Sequence, residues 1–290
     1  MMNKFRELAK PVDTKKVETA LTELSENRIQ VSAKTASQIL SFIDLTSLDI
    51  RDTEEKIIRM CEKANRIPEV FKDAGNIAGI CVYPVFIPVL KSHLKVPGVK
   101  RVSVSAGFPS GQIPLEVKIT ETKYAIVHGA EEIDIVIPAG KIIQGKLHPV
   151  IEEISRIKAV CGEKVVLKVI LESGLYTKKE DLQKAAFCAL EGGADFLKTS
   201  TGKLQPAARP EDVWIMSEMA LTYFEATGRR VGIKAAGGIA SLQDALYYAG
   251  IVSAVLGTDW LIPALFRIGA SRLTNIVLSV FNKNAGSSYF

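Results

Sequence analysis

The chain has 290 residues, 47% of them hydrophobic and 24% charged, with a formal net charge of +5. Such a balance excludes a disordered chain, and this length buries enough surface to fold without covalent staples. The 37 Lys and Arg are spread out and form no aromatic-laced basic stripe, which argues against a nucleic-acid partner and suits a small anionic metabolite.

Residues 1–16 carry charge but no apolar h-region, so no signal peptide is expected, and no apolar run is long enough to span a bilayer. Val17, Leu21 and Leu24 share a helical face, and residues 36–42 are helical in pattern again. Residues 1–40 therefore read as a helical extension that packs on the domain or on a partner copy. Short β-rich runs follow at 42–45, 79–83, 101–105, 133–137, 165–171, 196–199, 231–235 and 254–256. Helical stretches at 53–64, 115–128, 179–190, 210–225 and 242–249 lie between them.

The strand runs are almost continuously apolar, as parallel strands covered by helices are. Eight such units, with no second group of strands and no linker, predict a single (β/α)8 TIM barrel over residues 41–290. An open doubly wound sheet is the alternative, but the first strand–helix turn lacks a GxGxxG. Cys61, Cys81, Cys161 and Cys188 form no CxxC pair, so reduced thiols in a cytoplasmic protein are expected.

Three predicted strands carry a charge inside an apolar run: Asp134, Lys198 and Lys234. Charges are seldom buried unless paired or used, and strand residues near the carboxyl end of a barrel converge on its mouth. Asp134 could simply neutralise one lysine, as structural ion pairs do. Two lysines on neighbouring strands point further. Each disfavours the other's charge, burial acts in the same sense, and a lysine so depressed can attack a carbonyl to form an imine.

Glycine-bearing loops follow the sixth and seventh strands: Thr201-Gly202-Lys203 and Ala236-Gly237-Gly238. A third, Gly269-Ala270-Ser271, is expected to open the helix after the eighth strand. Backbone N–H groups freed at such turns face anions well, and barrels commonly hold phosphate there. Ser241 with Asp244 reads as a helix N-cap that needs no ligand.

Asp195-Phe196-Leu197-Lys198-Thr199-Ser200-Thr201-Gly202-Lys203 resembles the Schiff-base motif of the deoxyribose-phosphate aldolases. The resemblance continues through Phe42-Ile43-Asp44-Leu45-Thr46, Ile80-Cys81-Val82-Tyr83-Pro84, the Asp134 segment and Leu167-Lys168-Val169-Ile170-Leu171-Glu172. It also takes in Lys234-Ala235-Ala236-Gly237-Gly238-Ile239 and Phe266-Arg267-Ile268-Gly269-Ala270-Ser271. The resemblance implies cleavage of 2-deoxy-D-ribose 5-phosphate to acetaldehyde and D-glyceraldehyde 3-phosphate.

In those terms Lys198 is the nucleophile, Lys234 its electrostatic tuner, Asp134 part of the proton relay and Lys168 an organiser of the network. Asp44, Thr46 and Cys81 match positions near the substrate, although Cys81 by itself reads as a small buried strand residue. Two positions depart from the family: Ala235 stands where proline is usual, and Ala240 where an arginine is. The second departure removes a candidate phosphate contact. Tyr289 resembles a tail tyrosine that assists proton transfer, while an unanchored chain end is the plainer reading.

No His, Cys and carboxylate cluster suggests a metal, and His93, His128 and His148 fall on helices or loops, so neither metal nor organic cofactor is expected. Partners are then small aldehydes and a sugar phosphate, in a homodimer or other homo-oligomer. Two rivals stand beside this reading: a Schiff-base aldolase for another aldehyde pair, and a catalytically idle barrel that binds a phosphosugar.

Overall fold

The computed structural model describes residues 11–27, 29–283 and 288–290. Helix α1 (Thr14–Glu26) starts where the Asp13 carboxylate accepts the Lys16 amide at 3.1 Å. It buries Val17, and the Tyr247 hydroxyl donates to the Leu21 carbonyl at 3.0 Å. Helix α2 (Ala33–Phe42) begins at a capping box of Ser32 and Thr35 and runs straight into β1 (Ile43–Thr46). Residues 1–10 of the predicted helical extension lie outside the described residues.

The alternation then continues with α3 (Glu54–Val70), β2 (Gly79–Val82), α4 (Ile87–His93), β3 (Lys100–Ser105), α5 (Leu115–His128) and β4 (Glu132–Val136). It goes on through α6 (Ala139–Ile143), α7 (Leu147–Cys161), β5 (Val166–Ile170), α8 (Lys179–Glu191), β6 (Phe196–Lys198) and α9 (Pro210–Thr227). The last elements are β7 (Gly232–Ala236), α10 (Leu242–Leu256), β8 (Phe266–Ala270) and α11 (Arg272–Leu278).

All eight strands pair in parallel in chain order, and β8 closes on β1 with Asp44 opposite Gly269. The architecture is therefore a (β/α)8 TIM barrel. No helix among the described residues is long and apolar enough to cross a membrane.

The eighth strand is not where the sequence reading put it. Residues 254–256 finish α10, and β8 is Phe266–Ala270, so Gly269 and Ala270 belong to the strand and do not open the next helix. The apolar run deceived because α10 buries Ile251, Val252 and Leu256 against the barrel. Arg267 disguised the true strand, because a guanidinium at its second position breaks the apolar run; its partners lie inside the barrel.

The main apolar core lies between the outer face of the barrel and the helices, with Ile43, Leu45, Ile133, Leu167, Leu197 and Ile233 among its members. The barrel interior is different. Its apolar part includes a small separate cluster of Leu48, Cys81, Val102 and Val104, and charged side chains occupy much of the remainder. Phe196 forms a floor for them, its ring 6.0 Å from the Lys168 ammonium and 5.9 Å from the Arg267 guanidinium. A Cβ at Gly232 would lie 2.4 Å from that ring, so the glycine on β7 makes room for it.

Candidate active site

Strand register sets the site. Asp134 on β4 lies opposite Lys168 on β5, and Lys198 on β6 lies opposite Lys234 on β7. These side chains all point into the barrel. Lys198 Nζ donates to Asp134 Oδ2 at 2.8 Å, and Lys234 Nζ donates to the same oxygen at 2.8 Å. Lys168 Nζ donates to Asp134 Oδ1 at 2.9 Å. Lys234 Nζ also reaches Asp44 Oδ2 at 2.5 Å.

The same positions set the protonation states. Burial alone would raise the pKa of Asp134, but Lys168, Lys198 and Lys234 outweigh it and hold the carboxyl well below the usual range. Asp44 is likewise depressed, because Lys234, Arg267 and Lys168 overcome its burial. Lys198 moves the opposite way to Lys234. Burial pulls Lys198 down, Asp134 resists, and the Lys234 charge adds to the depression. Burial acts on Lys234 too, yet Asp134 and Asp44 together hold its proton firmly and raise it. Asp134 and Glu132 do the same for Lys168.

The pair is thus split into a depressed amine and a fixed ammonium. Lys198 is the member at the mouth, 3% exposed, while Lys234 and Lys168 are fully buried. Cys81 is fully buried beside them, and burial with the nearby Asp134 pushes its thiol up to about 11, so it is an inert neutral neighbour.

Above Lys198 opens a cavity of about 710 Å³, lined by Thr46, Thr201, Gly202, Lys203, Gly237, Gly238, Gly269, Ala270 and Ser271. The three predicted loops therefore converge. Gly237 and Gly238 have φ of +83° and +80°, the left-handed conformation that turns the chain sharply after β7. Gly269 serves differently: a Cβ there would lie 2.9 Å from Ala236 Cβ and 3.3 Å from Lys234 Cε. Its missing side chain leaves space for the lysine stem.

Ala240 is exposed on the wall of the same cavity. Arg272, the first residue of α11, stands on that wall too and also lines an adjoining cavity of about 300 Å³ with Lys56, Arg59 and Lys63.

Three participants escaped the sequence reading as site residues: Arg267, Glu132 and Glu172. Arg267 Nη1 donates to Asp44 Oδ1 at 2.5 Å and its Nη2 to Glu132 Oε1 at 2.7 Å. Glu132 Oε2 lies 2.6 Å from Lys168 Nζ. Glu172 accepts from the Thr201 amide at 3.2 Å and from its hydroxyl at 2.5 Å, tying the loop after β5 to the loop after β6. Lys203 Nζ extends that tie to the Leu48 carbonyl at 2.5 Å. The sequence signal for Glu132 was available, two residues before Asp134 on the same face of a strand.

Tyr289 turns away from the mouth. Its hydroxyl donates to the Lys63 carbonyl at 2.8 Å, its ring packs edge-on against Phe71 at 4.9 Å, and the Phe290 amide donates to Asn275 Oδ1 at 2.8 Å. The last residues are therefore anchored and not loose, because two aromatic rings and paired backbone groups hold them. Ser287 lies outside the described residues.

Solved structures with this architecture include a proposed deoxyribose-phosphate aldolase from Toxoplasma gondii ME49. It is 25% identical with a TM-score of 0.76, over 89% of this chain and 96% of that one. The tetrameric deoxyribose phosphate aldolase from Aeropyrum pernix is 28% identical with a TM-score of 0.69, over 91% of this chain and 97% of that one. An aldolase called QR15 is 27% identical with a TM-score of 0.67, over 85% and 95%. The sequence pattern of the DeoC/LacD family aldolases matches residues 38–277, and on that match the chain belongs to this family.

Proposed function

We propose that the protein is a class I aldolase that reversibly cleaves 2-deoxy-D-ribose 5-phosphate to acetaldehyde and D-glyceraldehyde 3-phosphate through an imine on Lys198. One observation carries the reading: a depressed lysine amine at the foot of an open cavity, 2.8 Å from a carboxylate it shares with a fully charged second lysine. A lysine near its ordinary pKa of ~10.4 is protonated and inert at neutral pH; depression frees the lone pair.

In the cleavage direction the Lys198 lone pair attacks the aldehyde carbon, and the carbinolamine loses water to leave an iminium. Asp134 Oδ2, already bonded to Nζ, pairs with the positive charge that appears there. The sugar hydroxyl then loses its proton, the C–C bond breaks, and its electrons flow into the iminium to give an enamine. Asp134 is too acidic to store that proton, so the proton passes to solvent in the cavity above Lys198. Protonation of the enamine carbon and hydrolysis release acetaldehyde and restore the free amine.

The anionic end of the substrate fits the opposite wall, where Gly202, Lys203, Gly237, Gly238 and Ser271 meet. Ala240 offers no guanidinium there, and the cations beside the cavity other than Lys198 are Lys56, Lys203 and Arg272. This substitution favours a second reading in detail: the same imine chemistry on an aldehyde pair whose acceptor carries its charge elsewhere. Self-association belongs to the proposal as well, supported by the tetrameric Aeropyrum pernix relative.

The test is incubation with acetaldehyde and borohydride, followed by peptide mapping. An ethyl group on Lys198 is expected, with none in Lys198→Ala. No adduct on a folded protein refutes the covalent route. Comparing turnover of 2-deoxyribose with its 5-phosphate then separates the two substrate readings.

A further inference from the structure

Beneath the cavity, Asp44, Glu132 and Asp134 face Lys168, Lys234 and Arg267 inside the barrel, and Lys198 sits at the upper edge of the group. Three carboxylates against three cations is a closed count when Lys198 is a free amine. A proton on Lys198 adds one unbalanced charge to a group whose other members are no more than 4% exposed. Such a charge is disfavoured where water cannot solvate it.

Arg267 and Glu132 close the count. Arg267 lies opposite Lys234 in the β7–β8 register, and Glu132 lies two residues before Asp134 on β4. Arg267 bonds both Asp44 and Glu132, and Glu132 in turn holds Lys168. Neither touches Lys198. The other groups that face the amine do not alter the balance: Cys81 on β2 is a neutral thiol. Glu172, bonded to Thr201, and Lys203, bonded to the Leu48 carbonyl, carry opposite charges and cancel in the count.

We propose that Arg267 and Glu132 are positioning residues that keep Lys198 a free amine by closing the charge count of the buried group. The nucleophile is then prepared by the whole ionic floor of the barrel and not by Lys234 alone. The direction of the Lys198 shift agrees with this account. The inference rests on the reading of Lys198 as the imine-forming lysine.

The experiment is competitive acetylation of the folded protein with acetic anhydride across a range of pH, with Lys198 followed by mass spectrometry. It reports proton affinity without turnover, so it stands apart from the aldolase reading, which fails instead if borohydride traps no aldehyde. R267M leaves a carboxylate uncompensated and raises the Lys198 pKa by about one unit; E132Q leaves a surplus cation and lowers it by about as much. The double variant R267M/E132Q restores the count and returns the titration to the wild-type position.

A purely structural role would move both single variants together or not at all. Should R267M fail to fold, E132Q decides the question, because glutamine keeps the shape of the glutamate. An unshifted or raised Lys198 titration in E132Q, or a double variant that stays displaced, overturns the proposal.

Discussion

Replacing Lys234 by Met removes the charge that depresses Lys198 while keeping an unbranched side chain in the space between Gly269 and Ala236. Both ammonium nitrogens bond Asp134 Oδ2 at 2.8 Å, so they stand at most twice that distance apart. At an effective dielectric of ~20, two unit charges at that separation repel by about 3 kcal/mol, or roughly two pKa units. Asp44 loses a partner in the same variant and binds a proton more readily, which takes back part of the effect. The net expectation is a Lys198 pKa about one to two units higher, and hence on the order of ten- to a hundredfold less free amine at pH values below the wild-type titration.

The assay is the pH dependence of kcat/KM for the cleavage, with release of the triose phosphate coupled to reduction, beside the pH dependence of borohydride trapping. The ascending limb of both profiles should move to higher pH by the same amount, and Lys234→Arg, which keeps the charge, should leave it nearly in place. A K234M enzyme with reduced kcat/KM but an unmoved limb would refute electrostatic tuning and leave Lys234 a purely geometric part.

Ala240→Arg places a guanidinium on the cavity wall and should lower KM for the phosphorylated sugar on the order of tenfold, with little change for 2-deoxyribose; a similar change for both would show that the phosphate lies elsewhere. Gly269→Ala puts a Cβ 2.9 Å from Ala236 Cβ and 3.3 Å from Lys234 Cε. A loss of about 1–3 kcal/mol in denaturant melts, together with a fall in kcat, is expected, and full activity would show that the lysine stem has slack. Asp44 and Asp134 have folded pKa values below the ordinary ~3.9, so their contribution to stability is complete above that value and is lost as pH falls through the folded ones. Circular dichroism in acid should therefore show these groups costing no stability until below about pH 4. Asp134→Asn should flatten that acid limb, and an unaltered limb would assign the acid sensitivity to other carboxylates.

Much of the barrel was legible because parallel strands covered by helices carry continuous apolar runs. Seven of the eight expected strands fall within a residue or so of those in the structure, as with 79–83 for Gly79–Val82 and 196–199 for Phe196–Lys198. The eighth was misplaced since an apolar helix end at 254–256 reads like a buried strand, while Arg267 makes the real one read as polar. Periodicity reports how apolar a segment is; it does not report which face of which neighbour makes it so.

By itself the sequence determined that charged side chains interrupt apolar strands at Asp134, Lys198 and Lys234, and that glycine-bearing loops follow the lysines. Those are local facts, written in residue type and spacing. Tertiary structure alone decided which lysine loses its proton affinity and which gains it. Lys198 and Lys234 are the same residue on adjacent strands, both bonded to Asp134, and they differ because Lys234 also meets Asp44 while Lys198 sits at the cavity floor. Asp44, Glu132 and Arg267 reach that network from positions far apart in the chain. Closure of β8 on β1 brings them together in a medium where a single unmatched charge is costly.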